Sequence, residues 1–189
     1  AALDKAMTLF WQHGYEATSL SDLVEATGAK APTLYAEFTN KEGLFRAVLD
    51  RYISRFAAKH EAQLFCEEKS VEQALLDYFT TVATCFTSKD TPAGCFMINT
   101  SATLAASSRE IANTVKSRHA MQEETLSTFL AQRQQRGEIP AHCHPQALAQ
   151  FLSCILQGMS ISAREGATLE KLQSITQTTL RLWPELLKA

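Results

Sequence analysis

Helical periodicity of the apolar residues runs through almost the whole chain, and it limits how the chain can fold more than any other feature. Leu3, Met7 and Phe10 recur at the spacing of one helix face, and no stretch alternates as a strand does. Only seven glycines and five prolines occur, and several of them mark breaks between helical segments. The pattern therefore predicts an all-α fold.

Length and composition are those of a globular protein with one large or two small domains. Apolar residues make up 46% of the chain, but no apolar run approaches the roughly 18–20 residues of a membrane span. Five cysteines without a CxxC pair indicate reduced thiols and a cytoplasmic protein. Because the sequence begins at Ala1 without methionine, we expect native N-terminal residues to precede it.

The first third of the chain has the helix start and stop signals of a helix-turn-helix motif. Gly14 is a natural C-terminal cap for a first helix that ends near His13. Ser19-x-x-Asp22 has the form of a capping box and predicts the start of a second helix. That helix stops at Gly28, a residue suited to a left-handed turn. A short helix after such a turn is the element that enters the major groove of DNA in this motif.

The remaining helices follow from similar signals. A short third helix is predicted over about 31–37, and a second capping box, Thr39-x-x-Glu42, opens a long fourth helix. Beyond a charged connector at 67–70, further helices are predicted at about 71–88, 94–105, 108–136, 145–165 and 168–182.

Two lysines occupy positions that a helix dipole disfavours. Lys30 and Lys41 lie at or within the first turns of two helices, where the dipole is positive and an anion is welcome. For one lysine alone, a solvated side chain is the better explanation. The presence of two such lysines in one motif favours contacts with DNA phosphates. The charge totals do not add to this case, because the net charge of the whole chain is −2 and residues 1–60 carry seven basic and seven acidic residues.

The stretch from Gly14 to Phe45, GYEATSLSDLVEATGAKAPTLYAEFTNKEGLF, resembles the DNA-binding signature of the TetR/AcrR family of transcriptional regulators. The resemblance implies an N-terminal three-helix helix-turn-helix domain at 1–50, with the fourth helix continuing to about 66. It also implies a ligand-binding and dimerisation domain at 67–189. The DNA-binding residues that it implies are Thr18, Ser19, Lys30, Ala31, Pro32, Thr33, Tyr35 and Lys41.

Each of these residues has an implied role. Thr18 and Ser19 would touch phosphate, and the four residues from Lys30 to Thr33 would face the groove. Tyr35 and Lys41 would contact phosphate, although a half-buried tyrosine with its hydroxyl in water is the ordinary alternative for Tyr35. The sequence departs from the family by Lys30 in place of a serine, by the acidic Glu37 and by lacking a basic arm before the first helix.

The second part of the chain is less specific. A ligand cavity among the later helices would be lined by Phe79, Val82, Phe86, Cys95, Phe96, Met97, Thr100, Met121 and Phe129. Each of them is otherwise an ordinary core residue, and their mixed apolar and hydroxyl character suggests an uncharged or weakly polar ligand. Apolar stripes for a homodimer interface lie on the last two helices, at Leu148, Phe151, Leu152, Ile155, Met159, Leu172, Ile175 and Leu182.

Two polar features have competing interpretations. Cys95 follows Gly94 near a helix N-terminus, so it is either a thiolate that senses electrophiles or a small buried hydrophobe. His142-Cys143-His144 is too tightly spaced for one helix face, so we predict no metal site there.

Together these features predict a ligand-responsive transcriptional regulator, a repressor that binds double-stranded operator DNA as a homodimer and is released by a small molecule. A dimer is favoured because one helix-turn-helix contacts too few phosphates and bases for specificity. No cofactor or catalytic motif is evident. The alternatives are a helical interaction protein that has lost DNA binding, or an enzyme on a helical scaffold.

Overall fold

The computed structural model describes residues 2–104 and 109–188, and the described residues form helices and connecting loops without strands, which confirms the all-α prediction. Its fourth helix, α4, starts as Lys41–Tyr52, continues as a π-helical turn, Ile53–Ala57, and ends as Ala58–Glu61. The other helices are α1 (Ala2–Ala17), α2 (Leu20–Thr27), α3 (Ala31–Phe38), α5 (Val71–Phe86), α6 (Phe96–Thr103), α7 (Arg109–Gln135), α8 (Pro145–Arg164) and α9 (Leu169–Leu186).

Local capping chemistry sets the ends of the first two helices as predicted. Gly14 has φ 80° and ψ 170°, so regular helical geometry in α1 stops there. The Ser19 hydroxyl accepts from the backbone N–H of Asp22, and the Asp22 carboxylate accepts from the backbone N–H of Ser19. Gly28 then ends α2 with φ 72°. Such bonds satisfy backbone groups that a helix end leaves without partners.

Two predicted boundaries of α4 were wrong. Asn40, not Thr39, caps the helix: its side-chain oxygen accepts from the backbone N–H of Gly43, while Thr39 ends α3 with φ 68°. The helix also ends at Glu61 rather than near 66. Asn at an N-cap accepts from the N3 amide as Thr does, so the local pattern allowed either residue.

Aromatic rings join the first helices to the rest of the molecule. The Trp11 ring of α1 lies edge-on to Tyr52 and Phe56 of α4, with centroids 5.2 and 5.7 Å away. Phe96 of α6 packs against Phe45 at 5.5 Å and against Tyr52 at 5.4 Å. Contacts of this kind exceed simple area burial in strength, so α1, α4 and α6 form one continuous core.

The last two helices divide their apolar residues between the chain's own core and its surface. Leu148, Leu152, Met159 and Leu172 are buried within the chain. Phe151, Ile155 and Ile175 are only half-buried, and Leu182 is exposed. These four outward residues line a shallow groove between α8 and α9. Among all helices of residues 2–104 and 109–188, none is long and apolar enough to cross a membrane.

Candidate nucleic-acid interface and effector cavity

Helix α3 lies on the outside of the molecule with one buried anchor. Leu34 is 4% exposed and packs inward, whereas Pro32 and Thr33 are exposed and Tyr35 keeps 41% of its surface. Ala31 is half-buried. A short helix that shows its N-terminal half to solvent can enter a major groove about 12 Å wide. We call α1–α3 the reading head.

The two lysines flank this helix in different environments. Lys30 is exposed at the N-cap of α3 and makes no capping hydrogen bond with its side chain. Lys41, in the first turn of α4, is half-buried, and its Nζ lies 4.4 Å from the centroid of the Tyr15 ring. Burial lowers the pKa of Lys41, and the nearby Glu16 carboxylate opposes that shift. Both lysines therefore occupy N-terminal positions of helices, where an anion is favoured.

Thr18 and Ser19 both make hydrogen bonds within the loop between α1 and α2. Thr18 is 1% exposed, and its hydroxyl donates to the Gly14 carbonyl at 2.7 Å, so that side chain braces the turn. The exposed Ser19 hydroxyl donates to the Asp22 carboxylate at 2.6 Å. Both hydroxyls serve the loop between α1 and α2.

Arginines of α4 are held by carboxylates. The Arg51 guanidinium donates to both oxygens of Asp4 at 2.9 Å, Arg55 lies 3.1 Å from the same carboxylate, and Arg46 pairs with Glu42 at 2.6 Å. The Arg51 hydrogen bond lowers the pKa of Asp4 to about 2. These pairs tie α4 to α1 and to itself, so the positive charge beside α3 comes from its flanking lysines.

A cavity lies deeper, among α4, α5, α6, α7 and α8. Its volume is about 60 Å³, room for roughly two water molecules. Three predicted ligand-binding residues line it: Val82, Phe86 and Cys95. Five others are buried without lining it: Phe79, Phe96, Met97, Thr100 and Phe129. Met121 is 56% exposed on α7 and lies outside the cavity.

Polar residues in the cavity wall were missed by the sequence reasoning. Tyr52 and His60 come from α4, Tyr78 from α5, and His119 and Gln122 from α7. Nothing local in the sequence distinguishes these side chains from other polar or aromatic residues on helices. The one available signal was a histidine on each of two amphipathic helices.

The cavity is electrically neutral. Burial lowers the pKa of His60 and of His119 and raises the pKa of Tyr52 and of Tyr78, so all four side chains favour their uncharged forms. No Asp, Glu, Lys or Arg is among the described residues that line it. His119 Nε2 is buried without a hydrogen-bond partner among the described residues, which leaves one polar atom for a guest.

Cys95 is a buried thiol rather than a stabilised thiolate. Burial is the largest influence and raises the pKa of its thiol; hydrogen bonds from Tyr52 and from the amides of Ile98 and Met97 only partly offset this. The helix N-terminus thus acts in the predicted direction but is outweighed. The Tyr52 hydroxyl donates to Cys95 Sγ at 3.3 Å, which favours the buried alternative over the electrophile sensor.

The His142–Cys143 pair ties the loop before α8 to the last residues of the chain. His142 Nε2 lies 2.9 Å from the Leu187 carbonyl oxygen, and Cys143 Sγ donates to the same oxygen at 3.2 Å. Across residues 2–104 and 109–188, no group of three or more His, Cys, Asp or Glu side chains could hold a metal ion.

Comparison with known proteins places these features in a family. The family model described as "Bacterial regulatory proteins, tetR family" matches residues 2–48, and that described as "Tetracyclin repressor-like, C-terminal domain" matches residues 71–179. The chain is 80% identical over 188 residues to the HTH-type transcriptional repressor ComR of Escherichia coli K12, covering 100% of this chain and 90% of that protein.

More distant relatives agree. The HTH-type transcriptional repressor BdcR of Escherichia coli K12 is 30% identical over 174 residues, covering 90% of this chain and 81% of that protein. A solved structure of the TetR family regulator CifR, a cysteine mutant complexed with 26-base-pair operator DNA, superposes with a TM-score of 0.92 at 28% identity. The superposition covers 97% of this chain and 95% of that one.

Proposed function

This chain belongs to the TetR family of bacterial regulatory proteins, and from that premise we propose that it represses transcription as a homodimer that a small molecule releases from operator DNA. The first 50 residues would bind DNA and residues 67–189 would bind effector and partner. The proposal places the protein in the cytoplasm, where operator DNA is, and assigns it no catalytic step.

One observation carries the DNA-binding part: α3 lies bare on the surface between two lysines at helix N-termini. Lys30, Pro32 and Thr33 are exposed together, and α3 is anchored by Leu34 alone among its buried residues. The outward Tyr35 ring adds a hydroxyl near the same edge. Phosphates would bind at the helix starts while the groove receives the side chains between them.

The cavity supports an uncharged effector. Its walls favour neutral side chains and offer the unpartnered Nε2 of His119, so a charged guest would lose hydration without a counter-charge. A guest too large for the present cavity displaces lining side chains. When this displacement costs less in the released state than in the DNA-bound state, the ligand binds the released state more tightly and shifts the population toward it.

Binding to duplex DNA from the region upstream of the protein's own gene, followed by fluorescence anisotropy at several salt concentrations, tests the proposal. We expect a steep loss of affinity with salt, because phosphate contacts release counterions. Lys41→Gln keeps the stem over Tyr15 but removes the charge. It should weaken binding to specific and nonspecific duplexes alike and reduce the salt slope by about one per subunit.

Lys171→Ala, an exposed lysine of α9, is the matched control and should leave both affinity and slope unchanged. Salt-independent binding, or none at all, would instead favour an interaction protein that has lost DNA binding. A thermal-shift screen of uncharged small molecules, with each hit then added to the DNA complex, tests release separately.

A further inference from the structure

Arg164, in the last turn of α8, donates to α1 just before the kink at Gly14. Its Nη1 lies 3.3 Å from the Trp11 carbonyl oxygen and its Nη2 lies 3.2 Å from the Gln12 carbonyl oxygen. Gly14 leaves the helical conformation within α1, so these two carbonyls lie in the last regular turn before that kink. A cation near the C-terminal end of a helical segment is also favoured by the helix dipole. Arg164 thus holds α1 at its kink from another helix.

The same helix carries the other surfaces that a regulator needs to connect. Ser160 Oγ, one turn before Arg164, accepts from the backbone N–H of Cys95 at 2.7 Å, and Cys95 both lines the cavity and caps α6. Leu156, earlier on α8, also lines the cavity. On its outward side, α8 presents Ile155 to the groove that it shares with α9. A single helix therefore touches the cavity, the candidate dimer face and the reading head.

The Arg164 contact differs in kind from the apolar contact that Phe96 makes with the reading head. Phe96 packs on Trp11 with ring centroids 6.2 Å apart, and such apolar contact is largely non-directional. A guanidinium is a planar fork whose two donors fix direction as well as distance. Apolar packing can hold α1 against the core while leaving it some rotation, whereas two hydrogen bonds to adjacent carbonyls restrict that rotation.

We propose that Arg164 is a positioning residue that sets the orientation of the reading head relative to α8, and thereby the spacing of the two recognition helices in the dimer. This inference rests on the proposed function, because it requires two reading heads on one operator. Inserting one base pair moves a half-site along the groove and around the helix axis, so half-site spacing reports head orientation directly.

The probe is the two-half-site duplex that the wild-type protein selects from a random-sequence library, together with derivatives that have one base pair inserted or removed at the centre. We expect wild type to bind the derivatives about tenfold more weakly. Arg164→Ala should bind all three duplexes within about threefold of one another, and Arg164→Lys, which retains the charge but not the fork, should be intermediate. Arg181→Ala, an exposed arginine of α9, should behave as wild type.

Full spacing discrimination in Arg164→Ala, or none in wild type, would overturn the inference while leaving the proposed function intact. A wild-type protein that selects no duplex would instead overturn the proposed function. Thermal melting of each variant separates orientation from folding, because a loss of stability alone lowers affinity for all three duplexes in proportion. If Arg164→Ala does not fold, Arg164→Lys decides, and wild-type discrimination in that variant overturns the inference.

Discussion

The pKa values of the cysteine thiols depend on burial more than on the residues beside them in the sequence. Cys95 has a helix N-terminus behind it, yet burial raises the pKa of its thiol. Cys85 shows the same effect, its pKa raised by burial to about 11. Cys154, in contrast, is exposed on α8. Sequence places a residue relative to a cap but not relative to solvent, so reactivity could not be predicted from the Gly94-Cys95 pair alone.

Brief alkylation of the native protein with iodoacetamide at pH 7.5 should modify Cys95 and Cys85 far more slowly than alkylation of the unfolded protein does, because both access and thiolate fraction are reduced. Mass spectrometry of the digested protein gives the extent of labelling at each thiol. Alkylation in guanidinium, where all five thiols should react at similar rates, is the control, and preferential labelling of native Cys95 would restore the sensor hypothesis.

The two cavity histidines predict how stability depends on pH. Burial lowers the pKa of His60 and of His119, so between their folded values and the ordinary value of about 6.5 the unfolded chain binds more protons than the folded one. The contribution of these two neutral histidines to stability is therefore fully present above about pH 6.5 and declines as pH falls below it. We expect Tm to fall between pH 7.5 and 5.5.

His119→Gln should flatten that decline by removing one of the two groups. His144→Gln, an exposed histidine, should leave the slope as in wild type. Equal slopes for His119→Gln and wild type, measured by thermal melting across the same pH range, would show that the folded cavity accepts the charged imidazole.

At the scale of elements, local signals were predictable and long-range ones were not. The Ser19–Asp22 capping box and the stop at Gly14 depend on residues within four positions of each other, so the sequence alone indicated them. The π-helical turn Ile53–Ala57 contains neither glycine nor proline, and no local sequence signal predicts it. It lies between cavity residues Tyr52 and His60, where packing between distant helices decides the geometry.

Gly14 connects a local signal with a tertiary contact. Its φ of +80° is costly for other residues, and a Cβ there would lie 2.7 Å from Thr103 Oγ1 of α6. Gly28 has φ +72° with open space around its Cβ position, so Gly28→Ala measures the backbone cost alone. We expect Gly14→Ala to lower the free energy of unfolding by more than Gly28→Ala does, each by about 1–3 kcal/mol.

Urea unfolding of both variants, alone and in a Thr103→Ala background, measures the contact. The excess cost of Gly14→Ala should shrink in that background, because the clashing oxygen has gone, while the cost of Gly28→Ala should not change. Equal losses for the two glycine variants in the wild-type background would mean that α6 yields without cost and does not brace the reading head.

At the scale of the whole molecule, α1, α6 and α8 join the reading head to the cavity and to the outward apolar surface. Periodicity predicted apolar stripes on α8 and α9. It could not divide them between the core of the chain and its surface, because both roles require apolar residues at helical spacing. The structure divides them: Leu152 is buried within the chain, whereas Ile155 is only half-buried and Leu182 is exposed. The outward set is what a second copy would cover.

Leu182 offers the sharpest test of that dimer, because it is 47% exposed on α9 and lines the groove between α8 and α9. Leu182→Glu would bury an unpaired carboxylate in an apolar interface, which is strongly unfavourable. We expect the mass in sedimentation equilibrium to fall toward that of one chain and operator binding to weaken with it. Met121→Glu, at a residue 56% exposed on α7, adds the same charge away from that face and should remain dimeric. A dimeric Leu182→Glu variant that still binds a two-half-site duplex as wild type does would place the interface elsewhere, and with it the route that links one reading head to the other.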